Sequence, residues 1–325
     1  MSKKTFPIDT PLVSILIPTH NRPGFFRETL ASVLQQTYAN LEIIVSDDST
    51  DDETEQLVRS EIHDPRVHYV HRTDSNMTKN FVWVLTHFHG KYFNLLMDDD
   101  LIAPEKIEMM VSCYEQFPHV SLVTSYRHVI DAEGNRINGV KAAQRLAEEP
   151  TQYSGTDLHR LLLERTHNLI GEPSTTLLRK KDLDEILPFW QTYRPNADIL
   201  TWLRLTELGD AVYLPFPLSS FRMHAGQDQD NPLTFFGGVC DWLEVYLHEA
   251  ERAMRAGDDD LRTLCWEKYT VITRNLVTRF WPETLVAVRR TPEDFATQTK
   301  LLSLEARYQR VLREYERIVF SMKEM

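Results

Sequence analysis

The chain has 325 residues, 42% of them hydrophobic and 26% charged, a composition that suits a globular protein of one large or two modest domains with a real core. Its formal net charge of −12 argues against a nucleic-acid partner, since phosphate binding depends on a density of Lys and Arg; an anionic substrate needs a cation or a few placed basic groups. Cys113, Cys240 and Cys265 form no metal or disulfide pattern, the N-terminus lacks an apolar signal core, and no run approaches the roughly 18 apolar residues of a spanning helix, so a cytoplasmic location is expected.

Taken in order, Leu12 to Ile17 is an apolar run between Pro11 and Pro18 and reads as a buried strand. The polar loop Thr19-His20-Asn21-Arg22-Pro23-Gly24 follows, and Phe26, Leu30, Val33 and Leu34 mark a helix. Leu41 to Val45 is a second strand ending in Ser46-Asp47-Asp48-Ser49, with a helix from about Asp52 to Ser60. Val67 to Val70 is a third strand, Asn80 to Phe88 a third helix, and Tyr92 to Met97 a fourth strand. This alternation predicts a mostly parallel sheet covered by helices on both faces, an α/β fold.

The fourth strand ends in Asp98-Asp99-Asp100, after which Pro104 suits a helix start and Ile107, Met110, Val111, Tyr114 and Phe117 recur at helical spacing. Two unit charges about 4 Å apart repel by roughly 4 kcal/mol at an effective dielectric near 20, and a hard divalent cation offsets that directly. A solvated acidic turn before a helix is the plainer alternative. The position at the C-terminal tip of a buried strand, where open α/β sheets place ligands, favours a metal site.

The second half is less regular. Val120 to Tyr126, Ser174 to Leu178 and Ala211 to Leu214 read as strands, Asp157 to Glu164 and Ile199 to Leu208 as helices, and Asp131 to Asn135 as a turn. Strand signals vanish after about Pro232, which places a boundary near residue 230, with a helical region over 231–325. There Leu301, Leu304, Tyr308, Val311, Tyr315, Ile318 and Met322 step by three and four, as in either a short coiled coil that self-associates or an amphipathic helix packed on its own domain.

Several phosphate-binding devices are absent. No Gly-x-Gly-x-x-Gly follows the first strand, no Walker lysine motif occurs, and Asp52 stands where a calcium loop over Asp47 to Glu53 needs glycine. Loops at one edge of a parallel sheet nevertheless converge, so Thr19 to Arg22, Asp47/Asp48 and Asp98 to Asp100 are expected to line one cleft. Such a cleft has a ring to stack on a base, a carboxylate to accept a base N–H, and carboxylates for a cation bridging two phosphates.

Four stretches in this order, Val13 to Arg22, Ser32 to Tyr38, Leu41 to Asp51 and Met97 to Pro104, make the chain resemble a family 2 glycosyltransferase. The likeness covers about residues 11–117, with weaker matches to about 225. It implies a GT-A-type nucleotide-diphospho-sugar transferase fold over 1–230, split into a nucleotide-binding half (11–117) and an acceptor half (118–230), plus the helical extension. It further implies inverting transfer from a nucleoside diphosphate sugar (UDP or dTDP) to a hydroxyl of a glycan, lipid-linked or protein acceptor, with Mn²⁺ or Mg²⁺, in the cytoplasm or peripherally at the inner membrane face.

By that resemblance Asp48 binds the base, His20 stands where the family has Tyr over it, and Thr19, Asn21 and Arg22 complete the nucleotide site; Lys79 and Asn80, in the loop before the third helix, are expected to reach phosphate or ribose, with a solvated helix start as the alternative. Asp98 approaches the ribose and Asp99 the metal, with Met97 where the family often has Asp. His224 of Phe221-Arg-Met-His224 faces the metal or diphosphate, and Gly171-Glu172-Pro173-Ser174 forms a loop beside donor sugar and acceptor. Asp198, preceded by Ala197 rather than the usual Glu, inherits the general-base role; without the resemblance it reads as a helix cap. A catalytically inactive binding module is the alternative, and a sugar nucleotidyltransferase is disfavoured because Pro18 to Gly24 is no Gly-rich basic loop.

Overall fold

A computed structural model of the chain describes residues 10–192, 194–225, 227, 232–280, 304–314 and 316–317. The chain divides into two compact units, Met1–His159 with Asn168–Tyr193 and Thr201–Met223, and Arg160–His167 with Arg194–Leu200 and His224–Met325.

The first unit begins β1 (Val13–Thr19), α1 (Pro23–Leu34), β2 (Leu41–Asp47), α2 (Glu53–Glu61), β3 (Val67–His71), α3 (Met77–Thr86) and β4 (Tyr92–Leu95). All seven residues of β1 and of β2 are buried, as expected of strands covered on both faces. Pro23 opens α1, where its missing N–H costs nothing, and Phe26, Thr29, Leu30 and Val33 form its buried stripe. The third helix starts three residues earlier than the apolar pattern implies, because the Asn76 side chain caps it by accepting from the Lys79 N–H at 3.0 Å. Lys79 and Asn80 therefore lie in the first turn of α3, not in a loop. The fourth strand stops short of Met97, whose N–H goes to Ser174 Oγ (3.0 Å) instead of the ladder.

Next come β5 (Leu101–Ile102), α4 (Lys106–Gln116), β6 (Val120–Ile130), β7 (Arg136–Ile137), β8 (Thr151–Tyr153), α5 (Gly155–Arg165), β9 (Leu177–Arg179), α6 (Leu183–Ile186), α7 (Ala197–Leu208) and β10 (Asp210–Arg222). The sheet runs β3-β2-β1-β4-β9-β6-β10-β5, with β7 on β6 and β8 on β10. The β3-β2-β1-β4 block and the β6–β10 pair are parallel, while β9 inserts antiparallel between β4 and β6. The last strand is far longer than Ala211 to Leu214, since register shifts around Leu214 and Pro217 absorb the prolines that interrupt its pattern. A core of Val13, Ile15, Ile17, Phe26, Leu30, Ile43, Val45, Ile107 and Met110, among others, holds the parallel tips in place.

The second unit carries α8 (Pro232–Ala256) and α9 (Asp259–Asn275), and residues 304–314 are helical. Of the heptad residues, Leu304, Tyr308 and Val311 are buried, with Tyr308 6.0 Å from the Phe236 ring and Tyr269 Oη donating to the Val311 carbonyl. Leu301, Tyr315, Ile318 and Met322 lie outside the described residues. No helix among the described residues is long and apolar enough to cross a membrane.

Candidate nucleotide and acidic site

Three strand tips meet in the first unit. At the end of β1, Thr19 Oγ1 donates to Asp98 Oδ2 at 2.9 Å and the His20 N–H reaches the same oxygen at 3.3 Å. Asn21 takes a left-handed φ of 52°, a conformation Asn tolerates, and bridges the loops: its N–H donates to Ser49 Oγ (2.7 Å) and its Oδ1 accepts from the Thr50 N–H (2.8 Å). Arg22 Nη1 spans Asp98 Oδ1 (3.3 Å) and Asp99 Oδ2 (3.1 Å).

Asp48 is seated by both neighbours. Its N–H donates to the Thr19 carbonyl (3.1 Å), and His20 Nδ1 lies 2.8 Å from its carbonyl and 3.2 Å from its Oδ1. Buried Asn80 donates Nδ2 to Asp48 Oδ1 at 3.1 Å and lies within reach of the Ser46 and Thr19 carbonyls. Burial raises the Asp48 carboxyl above its ordinary range, with His20 working against it. Adjacent Asp47 is spent on structure, accepting from the Ser49 N–H and Tyr69 Oη (2.6 Å). Asp52, not Asp48, precedes α2.

The Asp98-Asp99-Asp100 run is buried and under-neutralised. Burial, then the charge of Asp99, pushes the Asp98 carboxyl up to about 6 despite Arg22. The same two causes raise Asp100 well above its ordinary value. Asp100 Oδ1 accepts from the Arg222 N–H (2.9 Å), while its buried Oδ2 has no hydrogen-bond partner. Thr29 Oγ1 of α1 lies 2.9 Å from the Asp98 carbonyl and 2.8 Å from that of Asp100. Hard carboxylate oxygens gathered at one strand tip are the donor chemistry that Mn²⁺ or Mg²⁺ accepts.

The Gly171-Glu172-Pro173-Ser174 loop abuts this run. Besides accepting from the Met97 N–H, Ser174 offers its carbonyl to buried Lys106, and Asn94 Nδ2 donates to the Thr176 carbonyl at 2.7 Å. Burial lowers the Lys106 ammonium to about 7, against the pull of Asp100. Arg127 pairs with Glu172 at 2.5 Å, and Trp202 Nε1 donates to the Gly171 carbonyl at 3.1 Å. Gly171 sits at φ +107°, where L side chains are strained.

The first unit thus brings together Thr19, His20, Asn21, Arg22, Asp48, Asp98, Asp99 and the Gly171–Ser174 loop. Lys79 is exposed on α3, its carbonyl accepting from Arg72 at 3.1 Å. Asp198 and His224 belong to the second unit: Asp198, in the first turn of α7, accepts from the Ile199 N–H at 2.7 Å, and His224 Nδ1 lies 2.9 Å from the Ala225 carbonyl. Of the residues that support the site, Thr29 escaped the sequence reading, whereas Asn80 and Arg222 were legible only as neighbours of the expected site residues Lys79 and His224. Asn80, beside Lys79, carried a faint signal; Thr29 sat unmarked on an apolar helix face.

This is the architecture of a GT-A transferase, and known proteins agree. The profile of glycosyl transferase family 2 matches residues 14–187, so the chain belongs to that family and is a glycosyltransferase. An uncharacterized glycosyltransferase of Rickettsia prowazekii is 29% identical over 70% of this chain and 68% of its own length. One of Haemophilus influenzae is 28% identical over 67% of each. Among solved structures, TarS 1–349 of S. aureus in complex with UDP-GlcNAc matches with a TM-score of 0.59 at 16% identity, covering 94% of this chain and 92% of that one. A longer TarS chain matches with 0.54 at 17% identity; this chain spans 40% of it.

Proposed function

We propose that the protein is an inverting, divalent-metal-dependent glycosyltransferase that moves a sugar from a UDP or dTDP donor to an acceptor hydroxyl, with Asp198 as general base. The observation that carries this reading is the joining of Asp48, His20, Arg22, Asp98 and Asp99 through direct bonds at three strand tips. A uridine donor is supported by the shared fold of TarS, which was solved with UDP and with UDP-GlcNAc.

Asp48, held by Asn80, accepts the base N–H, and the His20 ring stacks on the base. Asp98 accepts from the ribose. Asp99, with His224 as a second ligand, would hold the cation, which would supply positive charge against that building on the departing diphosphate. Arg22, already shared between two carboxylates, supplies a further positive charge for phosphate. The Gly171–Ser174 loop shapes the place of the donor sugar. Asp198 takes the proton of the acceptor hydroxyl as it attacks the anomeric carbon from the opposite face, so no covalent glycosyl-enzyme forms. Free, buried Cys113, Cys240 and Cys265 support a reducing, cytoplasmic setting.

The test is a thermal-shift series with UDP, dTDP, GDP and ADP, each with and without Mn²⁺ or Mg²⁺. A ligand that binds only the folded state raises the melting point, so UDP or dTDP with metal should do so most. Asp198→Asn should then cut turnover by about 10²–10⁴-fold while leaving nucleotide affinity intact. No shift with any diphosphate, or equal loss of binding and turnover in the variant, sinks the reading.

A further inference from the structure

The segment Arg194–Leu200, which bears Asp198, sits in the second unit with α8 and residues 304–314. Asp241 of α8 is fully buried, yet three groups converge on it: the Asn196 N–H at 3.0 Å, Arg194 Nη1 at 3.3 Å and Arg307 Nη2 at 2.6 Å. One helical turn on, Glu244 accepts from Arg194 (2.9 Å), Arg307 Nε (3.2 Å) and Arg310 (2.5 Å). The carboxylates of one helix thus link the base-bearing segment to a helix more than 100 residues later in the chain.

Close approach is built in as well. Asn196 Nδ2 donates to the Gly238 carbonyl at 2.8 Å, and a Cβ at Gly238 would meet Asn196 Oδ1 at 3.2 Å. A Cβ at Gly237 would come within 2.9 Å of Pro195 Cγ. Glycine weakens a helix interior, and here the Gly237-Gly238 pair lets the turn before α7 lie against α8. From Asn196 the constraint passes directly to Asp198: the Leu200 N–H donates to the Asn196 carbonyl (3.0 Å) and the Ala197 N–H to that of Arg194 (3.2 Å), closing the first turn of α7 around it.

We infer that Asp241, Glu244 and Arg307 are positioning residues for Asp198, so that the C-terminal helices orient the proton acceptor. The inference rests on the assignment of Asp198 as the base. A network of two carboxylates and three guanidiniums, with Asp241 and Arg307 largely out of water, resists small displacements, and a catalytic group misplaced by about 1 Å loses on the order of 100-fold in rate.

The experiment compares full-length wild type with Arg307→Ala, Arg307→Lys, Asp241→Asn and Asp198→Asn. Backbone hydrogen exchange is read over 196–200, and kcat and donor KM are read by UDP release from UDP-GlcNAc. Arg307→Ala should speed exchange at 196–200 and lower kcat about tenfold with donor KM changed by less than about twofold, while Arg307→Lys restores most of both. Asp241→Asn, which keeps an acceptor for the Asn196 N–H, should give a smaller change in the same direction if Arg307→Ala fails to fold. Unchanged exchange at 196–200, or kcat falling only in proportion to folded protein, overturns the positioning role. An inactive Asp198→Asn beside a fully active Arg307→Ala overturns that role alone, whereas Asp198→Asn with full turnover overturns the base assignment first.

Discussion

The backbone N–H of Arg222 donates to Asp100 Oδ1 at 2.9 Å across 122 residues of sequence, and its Nε donates to the Asp99 carbonyl at 2.7 Å. The buried guanidinium also serves the Ala132 carbonyl (2.9 Å) and Glu28 (2.6 Å) and lies 5.0 Å over the Phe25 ring. The last strand of the sheet therefore grips the backbone of the acidic run. Arg222→Ala keeps the backbone N–H to Asp100 but leaves the Asp99 and Ala132 carbonyls and Glu28 without their guanidinium donor, and should cost about 3 kcal/mol of stability, measured by urea unfolding.

The same acidic run makes stability fall with pH. The folded Asp98 carboxyl, at about 6, lies above its ordinary 3.8, so the folded state holds its proton more tightly than the unfolded chain does. Its favourable contribution is complete below 3.8 and is lost as pH rises through 6, about 3 kcal/mol in all, and Asp100 shifts the same way. In chelator, Asp98→Asn should gain roughly 2–3 kcal/mol on wild type between about pH 4 and 7.5. Millimolar Mn²⁺ should erase most of that difference, because the cation relieves the same repulsion. Denaturant unfolding at each pH reads both.

Asp48 is held on one side by Asn80 and on the other by His20. Replacing it with Asn keeps the shape and removes the charge proposed to accept a base N–H. Titration calorimetry with UDP should show affinity weakened about 10- to 100-fold, since a hydrogen bond to a charged group contributes roughly 1.5–3 kcal/mol. The melting point of the unliganded variant should hold or rise, because burial already disfavours the charged form of Asp48.

Gly171 combines a φ of +107° with close walls: an added Cβ would stand 2.8 Å from both Arg127 Nη1 and Thr175 Oγ1. Arg127 cannot swing aside freely, since it is buried and paired with Glu172. Gly171→Ala should destabilise by about 2 kcal/mol and, by moving Glu172 to Ser174, lower turnover more than nucleotide affinity. Calorimetry and UDP release distinguish the two effects.

Much of this was legible in the residues themselves. The buried strands, the α1 stripe and the order of the four motifs follow from local chemistry: apolar runs bounded by proline, helical spacing, and carboxylates at strand ends. Element ends were less legible wherever a side chain intervened, as Asn76 does for α3 and Ser174 does for the end of β4. The antiparallel entry of β9 and the length of β10 were hidden because neither pairing direction nor a proline-tolerant bulge leaves a periodic trace.

The amino-acid order alone thus determined that this is a family 2 transferase with acidic strand tips, since runs of apolar and charged residues write themselves locally. Only the tertiary structure decided which polar groups serve the site and which serve the fold. Asp47 is consumed by Tyr69 while Asp48 is held by Asn80, and Arg222 returns from the far end of the sheet to hold Asp99 and Asp100. Those pairings join residues far apart in the chain, and what makes them matter is burial, which raises the cost of every unpaired charge and exists only once the sheet has closed.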